Sequence, residues 1–469
     1  MNWKIMEKAY MRKSFYQAWV FLTAIIFSFS SLSFASDFPN KLELLKLLKE
    51  RNYARLETIL VNYQTDYEKD FDYQKEDVVD YAYFTFSTSD PSIEKNLNEW
   101  VNKMPKSYSA LMARGAYYSH LAWLSRGSKY IDKTMSTQIK EMKKFFAKSK
   151  NDIQDAVQIN PKIVVGYSYL ISIGMALGER EFIYDTLNRG LRINPHSYVV
   201  RTQYIRSLIP KWGGSIEEMK QFANESQKYI EKDPRLKSLH SYVLEAEGEL
   251  LKKAGDETAA DKKYSEALTF YGKSSYPFQS GKKFYRKKQY DNALADFNKS
   301  LEIRPLQGGV LEHRAKTYYK LGRLDEALKD INLSLELDSL EPDYLIVRAE
   351  IYRKLKRYND AEKDYQNALI YGKYDAKVWR EKGEYQYYDL KNYKWAADDL
   401  RMATSLNPEN AQGWYLLGLA LYRLNDDKAY ESFEKYLELC NAKKTSACDE
   451  NKTSWSKKYV ACKKGKGQC

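Results

Sequence analysis

All four cysteines of this 469-residue chain fall in its last thirty positions, as Cys440, Cys448, Cys462 and Cys469. The gaps between them are seven, thirteen and six residues. None is the short gap of a zinc knuckle or of a Cys-x-x-Cys couple, so the spacing favours neither metal nor thiol redox chemistry. An even set in an oxidising compartment reads instead as two structural bridges, with three connectivities open. The four histidines, His120, His196, His240 and His313, lie too far apart in sequence for a His-Glu-x-x-His zinc site. No Gly-x-Ser-x-Gly elbow is present, and acid pairs such as Glu217–Glu218 and Asp398–Asp399 sit on amphipathic stretches where exposed charge is usual. The most motif-like run is PKWGGSIEEM, residues 210–219. Gly213 and Gly214 ahead of a helix start could hold an anion on backbone amides. The stronger reading is structural: a proline stop, a glycine turn, and Ser215 with Glu218 as a capping box. The residues therefore predict no catalytic group, cofactor or metal. An enzyme alternative places a hidden site beside His120, among Tyr117, Tyr118 and Trp123, and beside Trp212.

The compartment follows from the other end. Lys4, Lys8, Arg12 and Lys13 precede an uncharged run from Ala18 to Phe29, then Ser33-Phe34-Ala35. This pattern predicts a secretory signal over residues 1–35, cleaved after Ala35. The rival is an uncleaved anchor, for which the apolar run is short against the ~20 residues a bilayer needs. No cysteine follows the cleavage point, so a lipoprotein anchor is not expected. The mature protein is expected to be periplasmic or secreted, and bacterial. The formal charge of +13 falls to +10 once the leader's four basic residues and one acid are removed. The tail 441–469 carries eight lysines against Asp449 and Glu450, leaving a body of about +4, too near neutral to suggest nucleic acid. The tail reads as a solvated cap, or as a peripheral contact with an anionic envelope surface.

Internal repetition governs the middle of the chain. Ala293, Ala327 and Ala361 are evenly spaced in QYDNALADFNKSLEI, RLDEALKDINLSLEL and RYNDAEKDYQNALIY. A fourth copy, NYKWAADDLRMATSL, brings Ala396 one position late, which predicts a local bulge at Lys394 and Trp395. A dozen or so positions before these alanines stand Gly281, Ala315, Ala349 and Gly383. A compressed fifth copy holds Trp414, Gly418, Ala429 and Phe433. Small residues let two helices of a hairpin approach, while Phe297, Tyr365 and Phe433 fill the space to the next hairpin. The period of about 34 residues, the small residues, the aromatics and the closing Pro305 and Pro408 resemble the tetratricopeptide repeat. The implied fold is all-α: an α-solenoid of helical hairpins over 273–440, about five repeats, with a capping segment at 441–469. A looser rhythm runs upstream, where Pro161 and Pro195 are one such period apart. Residues 36–272 are thus expected to form an all-helical domain with degenerate hairpins. The stretches ARGAYYSHLAW and PKWGGSIEEM resemble an uncharacterised bacterial domain family, over about 40–270, that precedes tetratricopeptide repeats in exported proteins.

In the tetratricopeptide family, positions one, four and five after the first small residue line a concave groove. Carried onto this chain, they are Lys282, Tyr285 and Arg286; Lys316, Tyr319 and Lys320; Glu350, Arg353 and Lys354; and Glu384, Tyr387 and Tyr388. Cations interleaved with tyrosines suit an acidic or C-terminal peptide, although solvated lysines would look the same. The function implied is a non-catalytic exported scaffold that binds a protein or peptide partner. The spacing of Cys440 and Cys448 is similar to cysteine pairs in secreted bacterial helical-repeat proteins, which implies Cys440–Cys448 and leaves Cys462–Cys469. Trp455, Tyr459 and Val460 on one helical face would cover the apolar end of the solenoid.

Overall fold

The computed structural model describes residues 39–127, 134–270, 276–442 and 448–464, and the leader and Cys469 lie outside them. Regular structure among the described residues is helical, with no strand. The first group of helices is α1 (Lys41–Lys49), α2 (Tyr53–Tyr67), α3 (Tyr73–Phe84), α4 (Glu94–Lys103), α5 (Tyr108–Arg126), α6 (Ser136–Ile159), α7 (Val164–Leu177) and α8 (Arg180–Ile193). Next come α9 (Tyr198–Ser207), α10 (Ile216–Ser226), α11 (Leu239–Lys253) and α12 (Glu257–Ala267). The repeat region holds α13 (Tyr276–Arg286), α14 (Tyr290–Ile303), α15 (Gly308–Lys320), α16 (Leu324–Leu337), α17 (Pro342–Lys354) and α18 (Tyr358–Gly372). It ends with α19 (Ala376–Tyr388), α20 (Tyr393–Leu406), α21 (Ala411–Arg423), α22 (Ala429–Ala442) and α23 (Glu450–Lys463).

Local sequence explains where these helices start and turn. Asn40, Asp72, Ser107 and Ser215 cap α1, α3, α5 and α10 through side-chain oxygens that accept otherwise unpaired backbone amides. Inside each repeat hairpin one residue takes positive φ: Lys288 (59°), Gly322 (76°), Lys356 (59°), Lys391 (56°) and Asn425 (56°). These positions keep the repeat period except for one extra position before Lys391, so the insertion of the fourth repeat sits in that turn. Helix α20 runs unbroken from Tyr393, and the bulge expected at Lys394–Trp395 is not found. Trp395 stands exposed in the helix's first turn. The PKWGGS run folds as the structural reading requires. Gly213 has φ 88°, Ser215 Oγ accepts the Glu218 amide at 3.1 Å, and Trp212 packs edge-on against Trp123 at 5.7 Å between centroids.

Packing differs between the two halves. One continuous apolar cluster runs from Leu44 to Val200, with Trp100, Tyr117 and Phe146 fully buried. The repeat region has a chain of small clusters instead, such as Ala315–Ala327–Ile331–Val347 and Ala349–Ala361–Tyr365–Tyr385, each made by adjacent hairpins. That is how a solenoid core is built. A Cβ on Gly281 would lie 2.5 Å from the Phe297 ring, which is why the position is small.

A polar ladder pins these hairpins. Arg314 donates to Asp330 at 2.6 and 2.7 Å within its own hairpin and to Asn298 of the preceding one at 2.7 Å. Arg348 does the same to Asp364 (2.8 and 2.7 Å) and Asn332 (3.0 Å), and Lys382 reaches Asp399 at 2.7 Å. Arg114 makes an equivalent set in the N-terminal half, with Asp152 at 2.8 and 2.6 Å and Asn98 at 3.2 Å.

The array is closed at its C-terminal side by α23. Its Trp455 and Tyr459 lie against Phe433 at 5.0 and 5.3 Å, and Lys463 and Lys464 pair with Asp427 (2.9 Å) and Glu434 (2.5 Å). Cys440 and Cys448 are bridged, tying α22 to the start of this cap. Cys462 is also disulfide-bonded, while its expected partner Cys469 lies outside the described residues.

Replacing Arg348 by Ala strands the buried Asp364 and unpins two hairpins, and is expected to cost about 2–4 kcal/mol. Arg357→Ala, which removes an exposed pair with Asp360, should cost far less, since solvent screens that pair. Urea unfolding of the two variants beside the parent checks the difference.

Candidate functional site

Three successive loops that close hairpins turn toward the N-terminal domain. Arg304 pairs with Asp77 at 2.5 Å. Asp338 accepts the Ser89 amide at 2.8 Å and the Thr88 hydroxyl at 3.1 Å. Lys373 meets Glu141 at 3.4 Å, and Tyr371 packs on the N-terminal apolar cluster. Helices α11–α13 and residues of α15 frame a cavity of about 1310 Å³.

Four of the predicted groove residues line that cavity: Lys282, Tyr285, Arg286 and Lys316. Lys252, Lys283, Tyr242 and Tyr264 join them, from helices outside the recognised array and from α13 itself. Gly248 lies one position short of a full period before Gly281 and faces Tyr264 as Gly281 faces Phe297. Counting one, four and five from Gly248 gives Glu249, Lys252 and Lys253, all in the cavity wall. The repeat rule therefore reaches one hairpin further back than the recognised array.

Other predicted residues are placed differently. Tyr387 is only 7% exposed and packs into the cluster of Leu400, Leu416 and Leu417. Ala397, where the first two repeats have Leu294 and Leu328, leaves the space that Tyr387 fills against Tyr393. Arg353 is held by Asp389 at 2.8 Å and lies over the Tyr385 ring. It is a structural cation and not a free groove donor. Tyr319 is half-buried beneath Lys320, which sits 5.4 Å from its ring centroid. Lys354 and Tyr388 are exposed, and neither they nor Tyr319 and Lys320 line the cavity.

The column is also less cationic than its lysines suggest. Lys316 is paired with Glu312, Lys377 with Asp343 at 2.6 Å, and Arg380 with Glu381 at 2.6 Å. Burial, reinforced by nearby Glu381, pushes the Glu350 carboxyl up to about 7. Burial and Glu381 also push Glu384 up. At the α13 end the situation is reversed. Lys252, Lys282, Lys283 and Arg286 make no ion pair with a carboxylate among the described residues. Glu245 and Glu249 share the wall, where Glu249 accepts from the Tyr264 hydroxyl at 2.7 Å. Burial lowers the pKa of Lys282, and Arg286 lowers it further against the pull of Glu245. The groove is thus polarised, basic around α11–α13 and acidic toward α17–α19.

His120 and Trp212, the residues of the enzyme alternative, take separate roles. Trp212 covers the turn at Gly213, as described, while His120 faces Asp338 across the domain boundary at 3.1 Å. A second cleft of about 430 Å³ lies beside His120, lined by Asp80, Trp123, Thr202 and Gln203 among others. Burial, with Asp77 adding to it, pushes Asp80 up to about 6.

Comparison with known families finds two matches along the chain. Residues 41–190 match the family described as Domain of unknown function (DUF4034), and residues 313–378 and 385–441 match the tetratricopeptide repeat. Among solved structures, the chain is similar to MamA from Desulfovibrio magneticus RS-1, with 19% identity over 37% of this chain and 98% of that one (TM-score 0.32). It is similar also to TTC0263, a thermophilic TPR protein of Thermus thermophilus, with 20% identity over 39% and 97% (TM-score 0.34). The Cut9–Hcn1 hetero-tetramer aligns at 14% identity over 86% of each chain (TM-score 0.44). No curated protein matches the chain.

The raised Glu350 yields a pH prediction. Its folded-state pKa of about 7 lies above the ordinary 4.5, so the folded chain holds that proton more tightly and loses stability as pH rises through this window. Glu350→Gln should raise stability by about 1–3 kcal/mol at pH 8 and change little near pH 4.5. Denaturation at the two pH values checks the sign. With its geometry in place, the chain is described by its parts: residues 41–190 match that domain of unknown function, and residues 313–378 and 385–441 match the tetratricopeptide repeat.

Proposed function

We propose that this chain is an exported scaffold that holds a protein partner by an acidic segment seated in the basic cavity between α11 and α15. Tetratricopeptide arrays are in general protein-interaction folds, and the observation that carries the finer reading is the set Lys252, Lys282, Lys283 and Arg286 in one cavity wall, none of them ion-paired among the described residues. Four such cations facing one cavity of about 1310 Å³ repel one another. An entering carboxylate relieves that repulsion and supplies charge-assisted hydrogen bonds. Tyr242, Tyr264 and Tyr285 line the same wall and add apolar area at small conformational cost. Toward Glu350 and Glu384, whose carboxyls hold their protons more tightly than usual, the groove favours a neutral or basic flank, which sets direction. The reading narrows the groove from a column along the whole array to its first hairpins.

Export rests on the leader-like residues 1–35 and on the Cys440–Cys448 bridge, which suits an oxidising compartment. Docking on an anionic envelope surface is the weaker reading, because Lys463 and Lys464 are already engaged with Asp427 and Glu434.

Fluorescence anisotropy with a labelled Glu/Asp-rich peptide tests the reading. The triple variant Lys282→Ala, Lys283→Ala, Arg286→Ala should bind at least about 10-fold more weakly, with a flatter salt dependence. Lys354→Ala should bind as the parent does. Equal affinity in the triple variant and the parent would sink the proposal.

A further inference from the structure

At the boundary between the N-terminal domain and the repeat array, three side chains converge from three elements. His120 comes from α5, Asp338 from the C-cap of α16, and Glu341 from the N-cap of α17. One ligand atom from each lies within 4.8 Å of the others. His120 Nε2 is 3.1 Å from Asp338 Oδ2 and 3.9 Å from Glu341 Oε2. Four-coordinate zinc with bonds of about 2.0–2.1 Å sets its ligand atoms roughly 3.3 Å apart, so these spacings bracket the required edge.

Two further features separate this cluster from an ordinary ion pair. Asp338 Oδ1 is already occupied, accepting from the Ser89 amide, the Ser89 hydroxyl and the Thr88 hydroxyl. Those three donors fix the carboxylate so that only Oδ2 is presented to His120, the orienting role that outer groups play around bound metals. Meanwhile His120 Nε2 is sequestered from solvent and lies 3.1 Å from Oδ2 without a well-aligned hydrogen bond. A buried imidazole nitrogen and a fixed carboxylate oxygen thus face each other, with the Glu341 carboxylate close by. An unpaired buried polar atom of this kind costs free energy that a ligand can recover.

The geometry points to a divalent metal site at His120, Asp338 and Glu341 that clamps the repeat array onto the N-terminal domain, with water completing the shell. One imidazole with two carboxylates suits zinc-class ions, whereas Ca²⁺ and Mg²⁺ prefer all-oxygen shells. Two carboxylates also balance the charge of such an ion. The clamp would act on the middle one of the three docked repeat loops, between the Arg304–Asp77 and Lys373–Glu141 contacts, apart from the cavity on which partner binding is proposed. It does not depend on that reading, because the ion's uptake is measured without any partner.

The test is calorimetric titration of Zn²⁺ into the full chain stripped with EDTA. The parent should take up one equivalent and melt at a higher temperature with Zn²⁺ present. His120→Ala and Glu341→Gln should each weaken uptake at least about 10-fold, and equimolar Ca²⁺ should not compete. Glu341→Gln is isosteric and at a partly exposed position, so it carries the test if His120→Ala fails to fold. No uptake by the parent, or uptake unchanged in Glu341→Gln, would overturn the assignment and leave a His120–Asp338 ion pair only.

Discussion

Arg314 and Arg348 each sit half-buried where three helices meet, and each guanidinium divides its donors between two partners. Two parallel bonds go to an aspartate on the second helix of the same hairpin, and one goes to an asparagine on the hairpin before. The fork of a guanidinium is planar and rigid, so this division fixes both the crossing within a hairpin and the step to its neighbour. Apolar packing alone would tolerate sliding, because small clusters of alanine and isoleucine fit nearly as well after a small shift. A bidentate carboxylate does not. The ladder therefore converts the period of the sequence into a regular rise, and every longer-range feature of the molecule inherits that regularity.

The docking of the array shows this inheritance. Arg304, Asp338 and the Gly372–Lys373 turn stand one repeat period apart in sequence and fall on one edge of the solenoid. Their partners in the N-terminal domain, Asp77, Ser89 and Glu141, follow no period at all. A regular edge is meeting an irregular wall, and each contact uses its own chemistry: an ion pair, a backbone amide with hydroxyls, and a looser ion pair. Such an interface holds only if the loops arrive at set heights, which the ladder supplies.

How much of this can be read in the sequence depends on whether the determinant is local. The hairpins, their small residues and the capping of α10 by Ser215 rest on neighbours within a few turns, so periodicity exposes them. The Cys440–Cys448 bridge follows from a resemblance alone, since spacing leaves three pairings open. The ladder is also present as Arg314 and Arg348, one period apart, with Asp330 and Asp364 at a matching offset after each, yet its meaning needs the geometry of three helices. Tyr387 is buried against expectation because a groove rule counts positions along one helix and ignores the volume of Ala397 on the next. Likewise, the cations of the column are legible as residues but not as charges, because Glu312, Asp343 and Asp389 come to them from other turns and hairpins. His120 and Asp338 lie in different halves of the chain, and no pattern in the sequence joins them.

The basic end of the groove has its own explanation in the missing rung. Where the second, third and fourth hairpins have Arg314, Arg348 and Lys382 before the small residue, the first has Ser280 before Gly281, and the fifth has Leu417 before Gly418. Asp296 then has no cation from that position to hold, and one of its buried oxygens is left without a hydrogen bond. The hairpin's cations stand instead at Lys282, Lys283 and Arg286, on the cavity side, with no carboxylate paired to them. Charge that elsewhere joins helices is here left facing the cavity. A solenoid built from identical rungs would present an evenly pinned inner face, so a break in the ladder leaves charge on the cavity wall. Structural regularity and the proposed binding preference thus draw on the same kinds of side chain, and the first hairpin is where the pinning role lapses.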